Sequence, residues 1–184
     1  MRILLEQLER SLEFGLYYLS LITTLTIPDI ASALDAEDGQ ATGDRYKAWY
    51  DQWVRPRFGE SVRKLLADQA IPLGLLVDSP LDGEACYRFR CSLLHQGSSQ
   101  HPKSQFSRII FIEPNTSPGH IHYCTMNDAL CIDLNQFSRE VVSGTRLWLD
   151  TVENTERFRT NYDRFARRHP SGFLPFIAGA PVIG

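Results

Sequence analysis

Apolar residues recur with the period of an α-helix through most of this chain and switch to the period of a strand only once. Ile3, Leu4, Leu8, Leu12, Leu16 and Leu19 repeat at helical spacing, with Glu6, Glu9, Arg10 and Glu13 off the stripe, which predicts a helix over residues 2–25. Its second half is apolar almost all round, the pattern of a central or interface helix. Pro28 is expected to open a short helix through Leu34, and residues 35–43 to form a polar loop. Residues 44–55 read as a third helix, whose Tyr46, Trp49, Tyr50 and Trp53 fall at 3–4 spacing. Such a stripe is a core face before it is a base-stacking platform. A further short helix is expected over 60–69, and 71–77 is apolar but ambiguous.

The next helix carries its own punctuation. Ser79 is a candidate N-cap, Pro80 suits the first helical position, Asp82 and Glu84 favour the positive end, and Gly97 suits the stop. The period then changes. Residues 108–112 read as a strand, 120–126 alternate, and Asn127-Asp128 suits a tight turn into 129–134. Asn135 is expected to cap a long helix reaching about Arg168, with Pro170 beyond it. The tail 171–184 is uncharged and either frayed or docked, with a second subunit as one place to dock. The expected fold is mainly α (α+β): five or six helices, and a small antiparallel β-meander at about 107–134 before the long C-terminal helix.

Composition narrows the class. In 184 residues, 43% are hydrophobic and 22% charged, consistent with one globular domain over 1–184. The net charge of −3 means that nucleic-acid binding would need a local basic patch. Cys86, Cys91, Cys124 and Cys131 have no CxxC spacing, and Glu6, Glu9 and Arg10 interrupt any signal-peptide pattern. Residues 14–27 are uncharged but too short for a membrane span. These features lead us to expect a cytoplasmic protein with reduced thiols and no membrane association.

Within the helix preceding the strands, Arg90-Cys-Ser-Leu-Leu-His95 places an arginine and a histidine in an otherwise apolar stretch. Polar side chains of this kind are costly to bury unless they are paired or used, and together they suit a phosphate. Positions five apart on a helix point about 140° apart, so this pair is not expected to stack, whereas Arg88, Cys91 and His95 share a face.

The spacing resembles the Arg-x4–6-His motif of HEPN domains, helical bundles found in many prokaryotic RNases and toxins. Cys91 departs from that pattern, since the family usually has Asn, Asp or His directly after the arginine. The longer string Asp82-Gly-Glu-Ala-Cys-Tyr-Arg-Phe-Arg-Cys-Ser-Leu-Leu-His-Gln-Gly97 is similar to small bacterial proteins near that group. The resemblance implies a homodimer whose motif helices face a shared cleft, and a metal-independent endoribonuclease without cofactor, in a defence or toxin–antitoxin role. In that reading RNA is the substrate and an antitoxin a candidate partner. His95 would activate the ribose 2′-hydroxyl or protonate the leaving oxygen, Arg90 would hold the phosphate, and Glu84 would orient either one. The product would be a 2′,3′-cyclic phosphate.

The plainer alternative is a binding module. There His95 caps its own helix, and Arg90 pairs with Glu84 or another acid, either structurally or to grip an anion. Arg88 and Cys91 are binding candidates, Cys91 more simply as a buried, inert thiol than as a nucleophile. His120, His122 and Cys124 would face one side of a strand and form a candidate zinc set, with His101 or Cys131 as a fourth ligand. Arg157, Arg159, Arg164, Arg167, Arg168 and His169 leave the end of the last helix basic, fit for phosphate or simply favoured by the helix dipole.

Overall fold

The computed structural model describes residues 1–58, 79–116 and 121–184. The short helix expected over 60–69 and the ambiguous stretch 71–77 lie outside these residues. Six helices are fully described: α1 (Arg2–Glu13), α2 (Tyr17–Asp35), α3 (Gly43–Trp53), α4 (Gly83–Gln96), α5 (Leu134–Val152) and α6 (Glu156–Tyr162). Seven strands accompany them: β1 (Arg108–Ile112), β2 (Cys124–Met126), β3 (Ala129–Asp133), β4 (Arg168–His169), β5 (Gly172–Phe173), β6 (Ile177–Ala178) and β7 (Val182–Ile183). The molecule is mainly α with a small sheet before its long helix. No helix among the described residues is long and apolar enough to cross a membrane.

The first helix is two, not one. Gly15 takes φ +72°, a left-handed conformation that stops α1 and turns the chain into α2. The apolar stripe runs unbroken across this corner, so periodicity alone could not find it. Pro28 does not open a helix either; it sits inside α2, where Tyr46 Oη on α3 donates to the Leu25 carbonyl at 3.1 Å in the turn before the proline. As expected from its all-round apolarity, α2 is the central helix. Leu25, Ile27 and Ala31 are fully buried, and α1, α3, α4, α5 and α6 all pack on it. The aromatic stripe of α3 is core: Tyr46, Trp49 and Tyr50 are buried, with Trp49 edge-on to Trp148 of α5 at 5.7 Å.

The sheet forms where expected, but its order is β1-β3-β2. β2 and β3 make the antiparallel hairpin, turned by Asn127 and Asp128 at φ +48° and +63°. β1 adds to the other side of β3 in parallel, with Arg108 opposite Ala129. The meander expectation placed β2 in the middle; β2 is exposed throughout and only three residues long. β3 is buried at four consecutive positions, the signature of a strand covered on both faces, and so takes the centre.

α5 is capped by Asp133, which accepts from the Gln136 N–H at 2.8 Å, rather than by Asn135. It ends at Val152. Thr155 then accepts from the Phe158 N–H at 3.2 Å and starts α6, so the expected single helix to Arg168 is broken by a second N-cap. Phe158, Tyr162 and Phe165 stack at 5.3 Å intervals beyond the break. The tail folds back on itself, β7 pairing β4 and β6 pairing β5.

Candidate functional site

α4 starts later than its sequence suggested. Asp82, not Ser79, is the N-cap and accepts from the Ala85 N–H at 2.8 Å, while Ser79 accepts from the Leu81 N–H in the preceding turn. Asp51 of α3 takes the Gly83 N–H at 2.8 Å, anchoring the same end. The other end is as expected. Gly97 at φ +63° turns the chain so that its own N–H reaches the Leu93 carbonyl and the Ser98 N–H reaches that of Ser92.

Between these ends, Arg90 and His95 meet within one chain. Arg90 Nη1 lies 3.1 Å from His95 Nε2. Their Cα–Cβ directions diverge as the helical angle requires, but the long arginine side chain bends down the helix to close the gap. A guanidinium can only donate, so His95 Nε2 accepts and the ring proton sits on Nδ1. His95 is exposed at the helix end.

Asp29 completes the arrangement. Its carboxylate accepts from Arg90 Nε at 2.9 Å, and both side chains keep less than a fifth of their exposure, 18% and 19%. Burial holds the Asp29 carboxyl above its ordinary value, against the downward pull of Arg90. For Arg90, burial alone would lower the value; Asp29 and Cys91 outweigh it and leave the guanidinium raised. Nε is thus spent on Asp29 and Nη1 on His95, with Cys91 Sγ a loose 3.9 Å from Nη1. Nη2 makes no hydrogen bond among the described residues.

The remaining expected members lie elsewhere. Glu84 does not orient Arg90 or His95: it pairs with Arg88 at 2.7 Å and with Lys47 at 3.0 Å, one turn or more toward the N-terminus. Six residues of helix point Glu84 and Arg90 in different directions. Arg88 is tied to Glu84 and to the Lys103 carbonyl. Cys91 is half-buried beside Arg90, and the Tyr87 hydroxyl is raised chiefly by its hydrogen bond to Cys91. The Tyr87 ring packs on Tyr46 at 5.3 Å. Below them Cys86 is fully buried, its thiol pushed up to about 12 by desolvation. Asp29 was missed by sequence reasoning, because nothing local marks a residue 61 positions away as the partner of Arg90.

The zinc candidate comes apart. His120 is outside the described residues. Tyr123 sits at φ +55°, which breaks the strand alternation, so His122 turns inward while Cys124 stays exposed. His122 Nε2 lies 3.1 Å from Glu140 Oε1 and Tyr123 Oη donates to Glu140 Oε2 at 2.9 Å, a polar cluster in which His122 and Glu140 side chains are each 4% exposed. His101 accepts from the Lys103 N–H through Nδ1. Among the described residues no group of three or more His, Cys, Asp or Glu side chains is gathered to hold a metal ion.

The basic end is dispersed as well. Arg157 pairs with Asp35 at 2.8 Å, Arg164 bonds Asn161, Arg159 bonds Asn154, and Arg167 lies over the Tyr162 ring. His169 stacks on Phe173. Because α6 ends at Tyr162, these side chains never form one helix face. No family model, curated protein or solved structure matches this chain, so the chemistry of the site stands on its geometry.

Proposed function

We propose that this chain is an RNA-directed, HEPN-like protein acting as a metal-independent endoribonuclease, with Arg90 and His95 as its active pair. The observation that carries this reading is the 3.1 Å contact between Arg90 and His95 at the exposed end of α4, where Nη2 has no hydrogen bond among the described residues and can take an anion. A neutral imidazole beside a guanidinium has the two capacities that cleavage through the ribose 2′-hydroxyl needs: proton transfer at His95, and phosphate binding with stabilisation of added negative charge at Arg90. Asp29 holds the guanidinium in place. Glu84 has no part in the reading. The same proposal takes the protein as a cytoplasmic homodimer in a defence or toxin–antitoxin role. Exposed Phe14, Leu16, Tyr18 and Leu19 at the α1–α2 corner support an apolar contact between copies.

A second reading is favoured by the Asp29–Arg90 ion pair, which ties α2 to α4. In it the pair is structural or grips an anion, in a non-catalytic binding module. Purified wild type and His95→Ala, both shown folded by thermal melts, separate the two when incubated with a mixed RNA pool in EDTA. Cleavage by wild type alone, leaving cyclic phosphate ends, is the expected result. Equal cleavage by both removes His95 from the mechanism, and cleavage by neither moves the binding module to first place.

A further inference from the structure

The β2–β3 hairpin holds two cysteines directly opposite one another: Cys124 pairs with Cys131 in the antiparallel register. Opposed residues of such a ladder point to the same face with Cα atoms about 4.5–5.5 Å apart, within the span of about 4.4–6.8 Å that a disulfide bridges. Leu130 and Ile132, both fully buried, face the core, which puts Cys131 and Cys124 together on the other face. The two-residue turn at Asn127 and Asp128 keeps this register from slipping. Access to the two thiols is unequal, since Cys124 is exposed and Cys131 is buried at 6%.

We propose that Cys124 and Cys131 are a redox couple, a reversible cross-strand disulfide formed by exchange with a low-molecular-weight disulfide such as oxidised glutathione. The exposed Cys124 thiolate attacks one glutathione sulfur, forming a mixed disulfide and expelling one glutathione thiolate. The Cys131 thiolate then attacks Cys124 Sγ and expels the second. One external disulfide is reduced to two thiols while one protein disulfide forms, and the protons of the two cysteines end on the glutathiones. Cys86 and Cys91 lie on α4, outside this hairpin.

The bond would close immediately after His122 and Tyr123, the residues that hold Glu140 of α5. Oxidation therefore staples the hairpin that carries this anchor, and reduction frees it. With Cys124 exposed, an external thiol can attack the bond from that side, which suits a readily reduced, regulatory disulfide.

Met126 lies between the two cysteines, and Met1 is the only other methionine, so cyanogen bromide separates Cys124 from Cys131 in one cut. The full chain is equilibrated with excess oxidised glutathione, quenched in acid, unfolded and labelled with N-ethylmaleimide. The expected wild-type product carries maleimide on Cys86 and Cys91 only, and its two cyanogen bromide fragments stay joined until reduced. Cys131→Ser should instead stop at a glutathione mixed disulfide on Cys124. Wild-type protein labelled on all four cysteines overturns the proposal, as does one that keeps glutathione on Cys124 or joins its fragments through Cys86 or Cys91.

Discussion

Arg90 stands between two partners of different kinds, and removing each should read out differently. Arg90→Ala strands the half-buried Asp29 carboxylate, and a loss of about 1–3 kcal/mol in urea unfolding is expected. His95 is exposed and its loss uncovers nothing, so His95→Ala should stay within about 0.5 kcal/mol of wild type in the same measurement. If His95→Ala costs as much as Arg90→Ala, the histidine is structural. Asp29 adds a pH dependence. Its carboxyl is raised in the folded chain because burial outweighs the attraction of Arg90, so the folded state holds the proton more readily than the unfolded one. Stability from this group is then fully present below the unfolded value of about 3.9 and is lost as pH rises through the raised folded value. Asp29→Asn removes the effect. The melting temperature of wild type relative to Asp29→Asn should therefore rise as pH falls from 7 toward 4, and an unchanged difference would mean that Asp29 is not desolvated. Arg90 and His95 stood out as candidates from six residues of sequence, but their contact within one chain did not, since the helical angle turns them about 140° apart and only the reach of the arginine side chain closes the gap. Asp29 was not, because an ion pair across two helices leaves no local trace.

At the scale of elements, helix stops were the hardest feature to read. Periodicity reports which face is apolar: the stripe passes through Gly15 without a break, and the polar run from Glu153 to Arg157 between Val152 and Phe158 reads as the outer face of one continuing helix. Gly15 is a one-residue signal inside a long apolar pattern, and the Thr155 cap is a one-residue signal inside a polar run. Strand pairing failed for a related reason: β1 and β3 are joined in parallel by a choice made at the sheet, while local turn chemistry reaches only as far as the β2–β3 hairpin. The link between that hairpin and α5 is Glu140. Glu140→Ala leaves His122 and Tyr123 without their buried acceptor, and a loss of about 2–4 kcal/mol is expected in chemical unfolding. Glu140→Gln keeps one acceptor oxygen and should lose less. Equal losses for the two would show that packing, not hydrogen bonding, holds the hairpin to α5.

Across the whole molecule one continuous core cluster runs from Leu5 of α1 through α2, α3, α4 and β3 to Trp148 of α5 and Phe158 of α6. A shared core of this kind predicts cooperative loss of structure. Helical circular dichroism and the fluorescence of buried Trp49 and Trp148 should follow the same thermal transition, and separated transitions would mean that the core divides. The sequence by itself determined the mainly helical class, the central place of α2, the core role of the α3 aromatics, the β2–β3 turn and the Arg90–His95 candidate. Each of these depends on residues near one another in the chain, through periodicity, turn propensity or side-chain chemistry. Tertiary structure alone decided that Pro28 lies inside a helix, that β3 takes the middle of the sheet, that His122 turns onto Glu140, and that Asp29 holds Arg90. Those outcomes depend on which surfaces meet, and meeting is settled by the packing of distant segments against one another.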